Sequence, residues 1–591
     1  MPRHGFDGSL LCGRTNRREF LKTSGLLAGL VALDSSLNVA PDQKSKVITA
    51  DVCVYGGTAS GVLAAVAAAK RNKSVIIIEP SRWLGGMVGS GLRPARDCIA
   101  PGELGGLTRM IMLKDTEIGG VKREGQVQDQ QAAVRDVFAE LAKTHGIKVL
   151  FEHRLGKAIK SGNRITTLRL DYAPPDKEGC PAPKATAAHA AEVSAKVFID
   201  AGYEGDLMAQ AGVSYVVGRE SKDRYGESLA GVRNLLTFDV DPYVKPGDPS
   251  SGLLPMISPE PIGEMGSASR HINAYNFRFQ WMPPNEGTPL GEPASYDPAQ
   301  YELVRRALKK NRGLVGWPSD NYERDLLISG GIPGRQSDYP EGSWEERASI
   351  WREWIEFTKV LHKLTGSKHT LNQGEYPDTN DFPHQLYIRL ARRMVGRYVM
   401  TQDDLMLQTE IDDPICLAYS WYGMVDIYPC RLVATPDGKV ASEGETLIEV
   451  SPGPYPIPYR AITPKTEECG NLLVPVCVSG SHVALSSVRM EPTYMPMGES
   501  AGIAAVQAIN EGKNVQEIDK AAYRRALLKA GQILEWDGTG YGETSIWAGA
   551  GDKVWWKTHP EEYQRRPLAE IVKGPRELSE FEKKIQRARG E

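Results

Sequence analysis

The sequence predicts an α/β fold that opens on a parallel β-α-β unit, and three consecutive runs of residues predict it. Val52-Cys53-Val54-Tyr55 is a short β-rich run that ends at Gly56-Gly57. Val62 to Ala69 is Ala-rich and apolar, and Lys70-Arg71-Asn72-Lys73 closes it with the positive charge that suits a helix C-terminus. Ser74-Val75-Ile76-Ile77-Ile78 is a second buried strand, ending at Glu79. Two apolar strands joined by a helix of this length form a β-α-β crossover.

The turn between the first strand and the helix, Gly56-Gly57-Thr58-Ala59-Ser60-Gly61, carries a dinucleotide signature. Gly56 permits a tight turn out of the strand, and Gly61 lets the helix pack closely on the sheet. The helix N-terminus presents free N–H groups to a pyrophosphate. Glu79 stands where an acidic side chain accepts hydrogen bonds from a ribose. One position departs from the strict glycine pattern: Thr58 stands where a third glycine is expected. Its branched side chain crowds a pyrophosphate, while its hydroxyl offers a hydrogen bond to one. The expected cofactor contacts here are Gly56, Gly57, Thr58, Gly61 and Glu79.

A second glycine-rich loop, Trp83-Leu84-Gly85-Gly86-Met87-Val88-Gly89, follows at once. It resembles the Leu-Gly-Gly segment of large FAD proteins related to fumarate reductase, which adds Gly85, Gly86 and Met87 to the expected contacts. Val197 to Leu207, with Asp200 and the Glu204-Gly205-Asp206 turn, resembles the return of the chain to an FAD domain. Near the C-terminus, Met497-Gly498-Glu499-Ser500-Ala501-Gly502 reads as a glycine turn entering an Ala-rich helix. Such a helix start stabilises negative charge on a reduced flavin, with Gly498, Ser500 and Ala501 as contacts.

With Gly218-Arg219-Glu220-Ser221, Tyr225-Gly226-Glu227, Pro456 to Ala461 and the Arg489 segment, these motifs resemble the FAD-dependent oxidoreductase family of bacterial secreted proteins. Some members of that family carry a xanthan lyase label. The resemblance spans roughly residues 49 to 535. It implies a Rossmann-type FAD-binding domain of the glutathione reductase/fumarate reductase-like kind with an inserted α+β substrate lobe. The expected division is a signal over 1–40, the FAD domain over 49–214, an inserted lobe over 215–400, a return over 401–515 and a helical tail over 516–591.

Within those limits, Gln128 to Ala142 reads as an amphipathic helix, and Ile147 to Phe151 and Ile165 to Leu170 as strands. The lobe is rich in Trp281, Trp317, Trp344, Trp351 and Trp354, which serve either core packing or stacking on sugar rings. Tyr387 to Met400 reads as a helix on which Arg389 and Arg393, or Arg393 and Arg397, share a face, either as an anion or carboxylate clamp or as a solvated or salt-bridged surface. The helix at Tyr523-Arg524-Arg525 reads as peripheral.

Hydrophobic residues make up 41% of the 591 and charged residues 25%, with a net charge of -3, which speaks against a nucleic-acid surface. The eight cysteines form no CxxC pair, so no zinc ribbon and no metal site is expected. Cys53 and Cys477 read as buried small hydrophobes, and Cys98 alone lies beside a glycine-rich segment. Arg17-Arg18-Glu19-Phe20-Leu21-Lys22 followed by the apolar Thr23 to Leu33 resembles a twin-arginine export signal. That signal implies a periplasmic or extracellular protein, exported already folded. No stretch is long and apolar enough to span a membrane in the mature chain.

The expected chemistry is hydride transfer from an organic substrate, such as a sugar or polyol alcohol, to a bound FAD that an unidentified acceptor reoxidises. His482, in Gly480-Ser481-His482-Val483, is the candidate proton acceptor, and the open alternative is a histidine bonded to backbone. Arg489 is a candidate to steady an anionic flavin or substrate, and equally a structural ion-pair partner. His384, Tyr459 and Arg460 are lesser candidates. The competing function is a polysaccharide-active lyase or carbohydrate-binding protein that uses the Rossmann unit without net redox.

Overall fold

The computed structural model describes residues 47–92, 104–119, 130–233, 235–316, 327–328, 330–418, 424–426, 428–444, 446–449 and 454–535. The expected export signal, Cys98, Trp317 and the end of the tail lie outside them.

The expected β-α-β unit is present. Strand β1 (Val47–Tyr55) leads into helix α1 (Ala59–Ala69) and then strand β2 (Val75–Glu79). Helices α2 (Gly106–Gly119) and α3 (Gln130–Thr144) precede β3 (Lys148–Phe151). Strands β4 (His153–Ser161), β5 (Arg164–Tyr172) and β6 (Ala187–Asp200) follow, and β7 (Leu472–Leu473) joins from far along the chain. They form a mixed seven-stranded sheet in the order β3-β2-β1-β6-β5-β4, with β7 also on β6.

The pairs β1–β2, β2–β3, β1–β6 and β6–β7 are parallel, while β4 and β5 form an antiparallel hairpin against the first half of β6. The register sets Tyr55 beside both Ile78 and Asp200, so three parallel strands end at one level. A crevice at the carboxyl ends of such strands is where ligands bind in open α/β sheets.

Both faces of the sheet are covered, which is why β1 and β2 read as unbroken apolar runs. Val52, Val54 and Ile77 point into one core with α1, while Cys53, Tyr55, Ile76 and Ile78 point into the other with Phe198 and Leu472. Cys53 and Cys477 are both buried, and burial pushes both thiols up, so they pack as small hydrophobes.

Helix α4 (Trp344–Leu364) opens with a capping box between Ser343 and Glu346. Two C-terminal helices follow β7: α5 (His482–Val488) and α6 (Glu491–Glu511). Tyr523 is buried and donates its hydroxyl to Ser500 O (2.8 Å), so the helix carrying it packs into the core rather than lying peripheral.

Two expectations are corrected here. Tyr387 to Met400 is not a helix, because its backbone bonds to distant strands. Tyr387 N–H donates to Asn276 O (2.8 Å), Met394 N–H to Cys477 O (3.0 Å) and Val395 N–H to Ser214 O (2.7 Å). Its arginines turn inward to separate partners: Arg389 to Ala274 O (3.1 Å), Arg392 to Asp206 (2.8 Å) and Arg393 to Glu220 (2.5 Å).

The expected glycine turn at Gly498 is also corrected. Helix α6 begins at Glu491, with Pro492 in its first turn, so Gly498, Ser500 and Ala501 are interior helical positions. A methyl group on Gly498 would overlap Ser60 O, and one on Gly502 would overlap Ala64 O. The two glycines are therefore the surface on which α6 crosses α1 at backbone contact.

Strand Leu235–Phe238 pairs with Val440–Glu443, so that sheet bridges residue 400, the expected end of the inserted lobe.

Candidate active site

The crevice at the ends of β1, β2 and β6 is a narrow cleft, open at its mouth. Gly56, Thr58, Glu79, Gly86, Gly202 and Tyr203 line its inner part. Gly56 has φ +96°, and a Cβ there would sit 2.6 Å from Gly202 N, so only glycine makes this turn. A Cβ on Gly61 would overlap Gly56 O, which confirms the close approach expected of that residue.

Thr58 has a use that the sequence did not reveal. It is the N-cap of α1: its Oγ1 accepts from Gly61 N–H (3.1 Å) and donates to Ala201 O (2.8 Å). Its side chain thus ties the helix start to the end of β6, and the first-turn N–H groups of Ala59 and Ser60 have no acceptor within the helix.

Glu79 is buried at the end of β2, and accepts from Gly57 N–H (2.6 Å) and Ser81 N–H (2.7 Å). Burial holds its carboxyl above its usual value, against those two donors. It braces the glycine turn from below and lines the cleft.

The second glycine loop lies alongside the first. Gly85 N–H donates to Gly57 O (2.7 Å), and Met87 N–H donates to the Tyr203 hydroxyl (2.9 Å). A Cβ on Gly85, at φ +99°, would come within 2.6 Å of the Phe138 ring, and one on Gly86 would overlap the Tyr203 hydroxyl. Tyr203 in turn donates to Glu491 (2.5 Å) at the first position of α6. The start of α6, at Glu491 rather than at Gly498, therefore meets the loop through Tyr203. Ser500 Oγ instead donates to Ile415 O (3.0 Å), and Ala501 is buried in the core.

Asp200 is fully buried, with Oδ1 accepting from Gly202 N–H (3.2 Å) and Oδ2 from Met208 N–H (2.8 Å). Burial raises its carboxyl to about 7. Both oxygens are spent on the backbone, so it shapes the turn that walls the cleft.

The outer part of the cleft is aromatic. His384 stacks on Trp83 at 4.0 Å between ring centroids, and Trp344 and Trp351 line the same wall. Arg154 lies over the Trp344 ring at 4.7 Å. Trp354 is core, donating to Tyr275 O (2.8 Å), and Trp281 stacks on Phe279 at 4.9 Å. Tyr459 is buried and donates to Val515 O (2.6 Å), while Arg460 pairs with Asp412 and Asp413, so both are structural here.

Beyond the glycine loops lies a group of cations. A Cβ on Gly91 would touch the Arg278 side chain at 2.9 Å, and Ser90 Oγ accepts from Gln385 N–H (3.0 Å). Tyr387 follows, with Arg278 over its ring at 4.5 Å and Arg389 at 4.2 Å. Arg489 reaches the Tyr387 hydroxyl (3.3 Å).

His482 begins α5, capped by Ser481, and its backbone N–H donates to Glu220 (3.0 Å). Its side chain is completely buried, and neither ring nitrogen has a hydrogen-bond partner among the described residues. Burial, then Arg219, Arg393, Arg233 and Arg489, push the imidazole well below its usual value. His482 is therefore neutral at pH 7, with one nitrogen available as a proton acceptor.

A parallel-strand crevice, a capped glycine turn at a helix N-terminus, a braced acidic residue and a second glycine loop define a dinucleotide-binding protein of the Rossmann type. The family is identified by the match of residues 51–527 to the FAD dependent oxidoreductase model, and the chain belongs to that family. It is an FAD-dependent oxidoreductase, and FAD is its cofactor.

No curated protein matches the chain. Solved structures similar to part of it include L-proline dehydrogenase from P. horikoshii, 16% identical, covering 31% of this chain and 26% of that one at a TM-score of 0.16. Another is p-nitrophenol 4-monooxygenase PnpA from Pseudomonas putida DLL-E4, 12% identical, covering 30% and 45% at 0.19. A third is T. acidophilum thioredoxin reductase, 18% identical, covering 26% and 34% at 0.15. The chain thus spans less than half of each, and likenesses of this extent bear on neither substrate nor mechanism.

Proposed function

We propose that this oxidoreductase oxidises an alcohol carbon of an organic substrate, a sugar or polyol, with His482 accepting the hydroxyl proton. FAD, when bound, supplies the hydride acceptor at flavin N5. The chain supplies the rest. The start of α1 and the Gly56-Gly57 turn hold the pyrophosphate, Glu79 faces a ribose, and the Gly85-to-Met87 loop lies along the remainder of the cofactor. The same reading takes the fold as glutathione reductase/fumarate reductase-like, with the segments between β6 and β7 forming a substrate lobe. It also takes the Arg17-Arg18 segment as an export signal, and an external acceptor as the final electron sink.

The observation that carries this reading is His482. It is a fully buried neutral imidazole with both nitrogens unbonded among the described residues, at the start of a helix that Arg489 caps. A buried polar ring without partners is costly, and a substrate hydroxyl relieves that cost by donating to it.

The test is anaerobic bleaching of the flavin band by candidate alcohols. His482→Ala is expected to keep its FAD and to bleach roughly 100-fold more slowly or worse. A His482→Ala protein with undiminished bleaching removes the proposed role. Unsaturated-sugar absorbance from a polysaccharide, with no bleaching by any alcohol, replaces the reading with a lyase.

A further inference from the structure

His384 is a buried imidazole that forms no side-chain hydrogen bond. It is 3% exposed, and neither ring nitrogen has a partner among the described residues. Two rings fix its position: Trp83 stacks on it at 4.0 Å with 18° between the planes, and Tyr376 meets it edge-on at 5.0 Å. Trp83 is itself held, its indole N–H donating to Asp378 (2.7 Å). At the next residue, Gln385 N–H donates to Ser90 Oγ (3.0 Å), which ties the segment to the second glycine loop. A polar ring buried in this way is costly unless a ligand completes its bonds.

The ring stands in the cofactor cleft, which His384 lines together with Gly56, Thr58 and Gly86. The cleft is narrow, so a ligand held on the glycine turn meets the opposite wall. Positive charge is scarce there. Glu79, Glu204 and Asp206 line the cleft, and among the described residues Arg154 is its one cation. Arg347 (2.7 Å) and Arg392 (2.8 Å) neutralise Asp206. Glu204 accepts from the Tyr339 hydroxyl (3.2 Å), and burial raises both Glu204 and Glu79. Arg154 donates through Nη1 to Ala182 O (2.5 Å) and lies over Trp344. The start of α1 adds only about half a positive charge, whereas the diphosphate of FAD is a dianion.

The groups around His384 keep it neutral in the protein alone. Burial pushes the imidazole well below its usual value, and Arg135 of α3, which lies over the Tyr376 ring at 5.9 Å, acts in the same direction. Of the acids on the elements packed around it, Asp176 and Glu178 pair with Arg352, and Glu178 also pairs with Lys359 (2.7 Å). Asp378 receives the Trp83 indole, and burial raises Glu375 to about 7. Burial also raises the Tyr376 hydroxyl and the Cys180 thiol, so neither supplies an anion at pH 7.

We propose that His384 donates a hydrogen bond to the diphosphate of FAD and takes up a proton from solvent as the cofactor binds, which makes FAD affinity depend on pH. This rests on the diphosphate lying at the start of α1, and not on alcohol oxidation. A phosphate oxygen accepts from the ring N–H, and its charge stabilises the imidazolium that burial disfavours. A ribose hydroxyl bonds the same ring without that charge, and takes up no proton. The sign follows: where the complex holds the proton and the protein alone does not, affinity falls about tenfold for each unit rise in pH.

The experiment titrates the deflavinated full-length protein with FAD, and with ADP, which carries the diphosphate without the flavin. Calorimetry in buffers of different ionisation enthalpy, from about pH 6 to 8, counts the protons taken up. The wild type is expected to take up about one proton more than His384→Gln, and to lose affinity more steeply as pH rises. His384→Phe keeps the stack on Trp83 and is expected to bind both ligands roughly 10- to 100-fold more weakly, with His384→Gln losing less. Asp200 and Glu79 titrate in all three proteins, so their contribution cancels in the difference. Circular dichroism checks folding, and His384→Gln carries the test if His384→Phe does not fold.

Wild-type affinity for ADP in the His384 variants overturns the contact, even where FAD binding is weakened. Weakened binding with wild-type proton uptake in His384→Gln overturns the diphosphate in favour of a neutral hydroxyl. Gly61→Val in the same titration tests the cleft separately. ADP binding lost there and kept in both His384 variants removes His384 and leaves the cleft, whereas ADP binding kept in Gly61→Val removes the placement at α1.

Discussion

Gly498→Ala tests how the fold holds its cofactor at a distance. The added methyl would overlap Ser60 O and lie 2.6 Å from Ser60 Oγ, where carbon and oxygen need about 3.4 Å. The obstacle is backbone in the first turn of α1, so no rotamer change relieves it. The helices must part by ~1 Å, and overpacking of this kind costs about 1–3 kcal/mol.

The displaced element is the helix start proposed above to hold the pyrophosphate. Charge at a helix N-terminus is worth ~0.3–2 kcal/mol, and each hydrogen bond to a charged group about 1.5–3 kcal/mol. Losing part of that weakens FAD binding roughly 10- to 100-fold. The assay is FAD fluorescence on reconstitution of deflavinated protein, with melting followed in parallel. Gly146→Ala is the control, because nothing lies within 4 Å of a Cβ there, although its φ of +64° still strains an alanine. The control is expected to lose stability and keep FAD affinity. Wild-type FAD affinity and melting in Gly498→Ala would refute the reasoning.

Other outcomes follow from single side chains. Thr58→Ala removes the cap of α1 and its tie to Ala201, and is expected to cost about 1 kcal/mol in urea unfolding, with weakened FAD binding. Glu499 is buried and accepts from Leu107 N–H (2.8 Å) and Gln532 Nε2 (2.8 Å), and burial raises it from 4.5 to about 7. The folded state therefore holds a proton that the unfolded state gives up earlier. The associated stability is complete below 4.5 and is lost as pH rises through about 7, a change on the order of 3 kcal/mol. Glu499→Gln is expected to flatten that part of the stability–pH curve in chemical denaturation, so that the variant gains on the wild type between pH 5 and 8. An unchanged curve would show that Glu499 titrates alike in both states. Tyr203→Phe removes the hydroxyl between Met87 N–H and Glu491, and is expected to cost about 1–3 kcal/mol in melting and to loosen the glycine loop, read as faster FAD release.

The β1-α1-β2 unit was legible because its determinants are local. Alternating faces, a glycine turn, an alanine-rich helix and a terminal Glu79 lie within about thirty residues and need no distant partner. The same locality explains the errors. Small residues four apart at Gly498 and Gly502 fit a helix start or a helix crossing equally well, and only Ser60 and Ala64, far back in the chain, decide between them. Arginines at helical spacing from Arg389 to Arg397 suggested a shared face, yet Tyr387, Val395 and Met394 of that segment bond through their backbone to Asn276, Ser214 and Cys477, far off in sequence. Thr58 looked like a defect in a cofactor motif until Ala201 O was found beneath it.

His482 was visible as a residue type after a strand, but its burial and its ring of cations belong to the fold.

The most direct measurement is the FAD content of purified Gly61→Val beside the wild type, with circular dichroism to confirm that the variant is folded. A side chain at Gly61 would overlap Gly56 O and press on Ala201 Cβ, which breaks the turn that faces the cofactor. The wild type is expected to carry stoichiometric FAD and folded Gly61→Val to carry essentially none. Full FAD in Gly61→Val would place the cofactor outside the cleft that Gly56 opens, and would contradict the account.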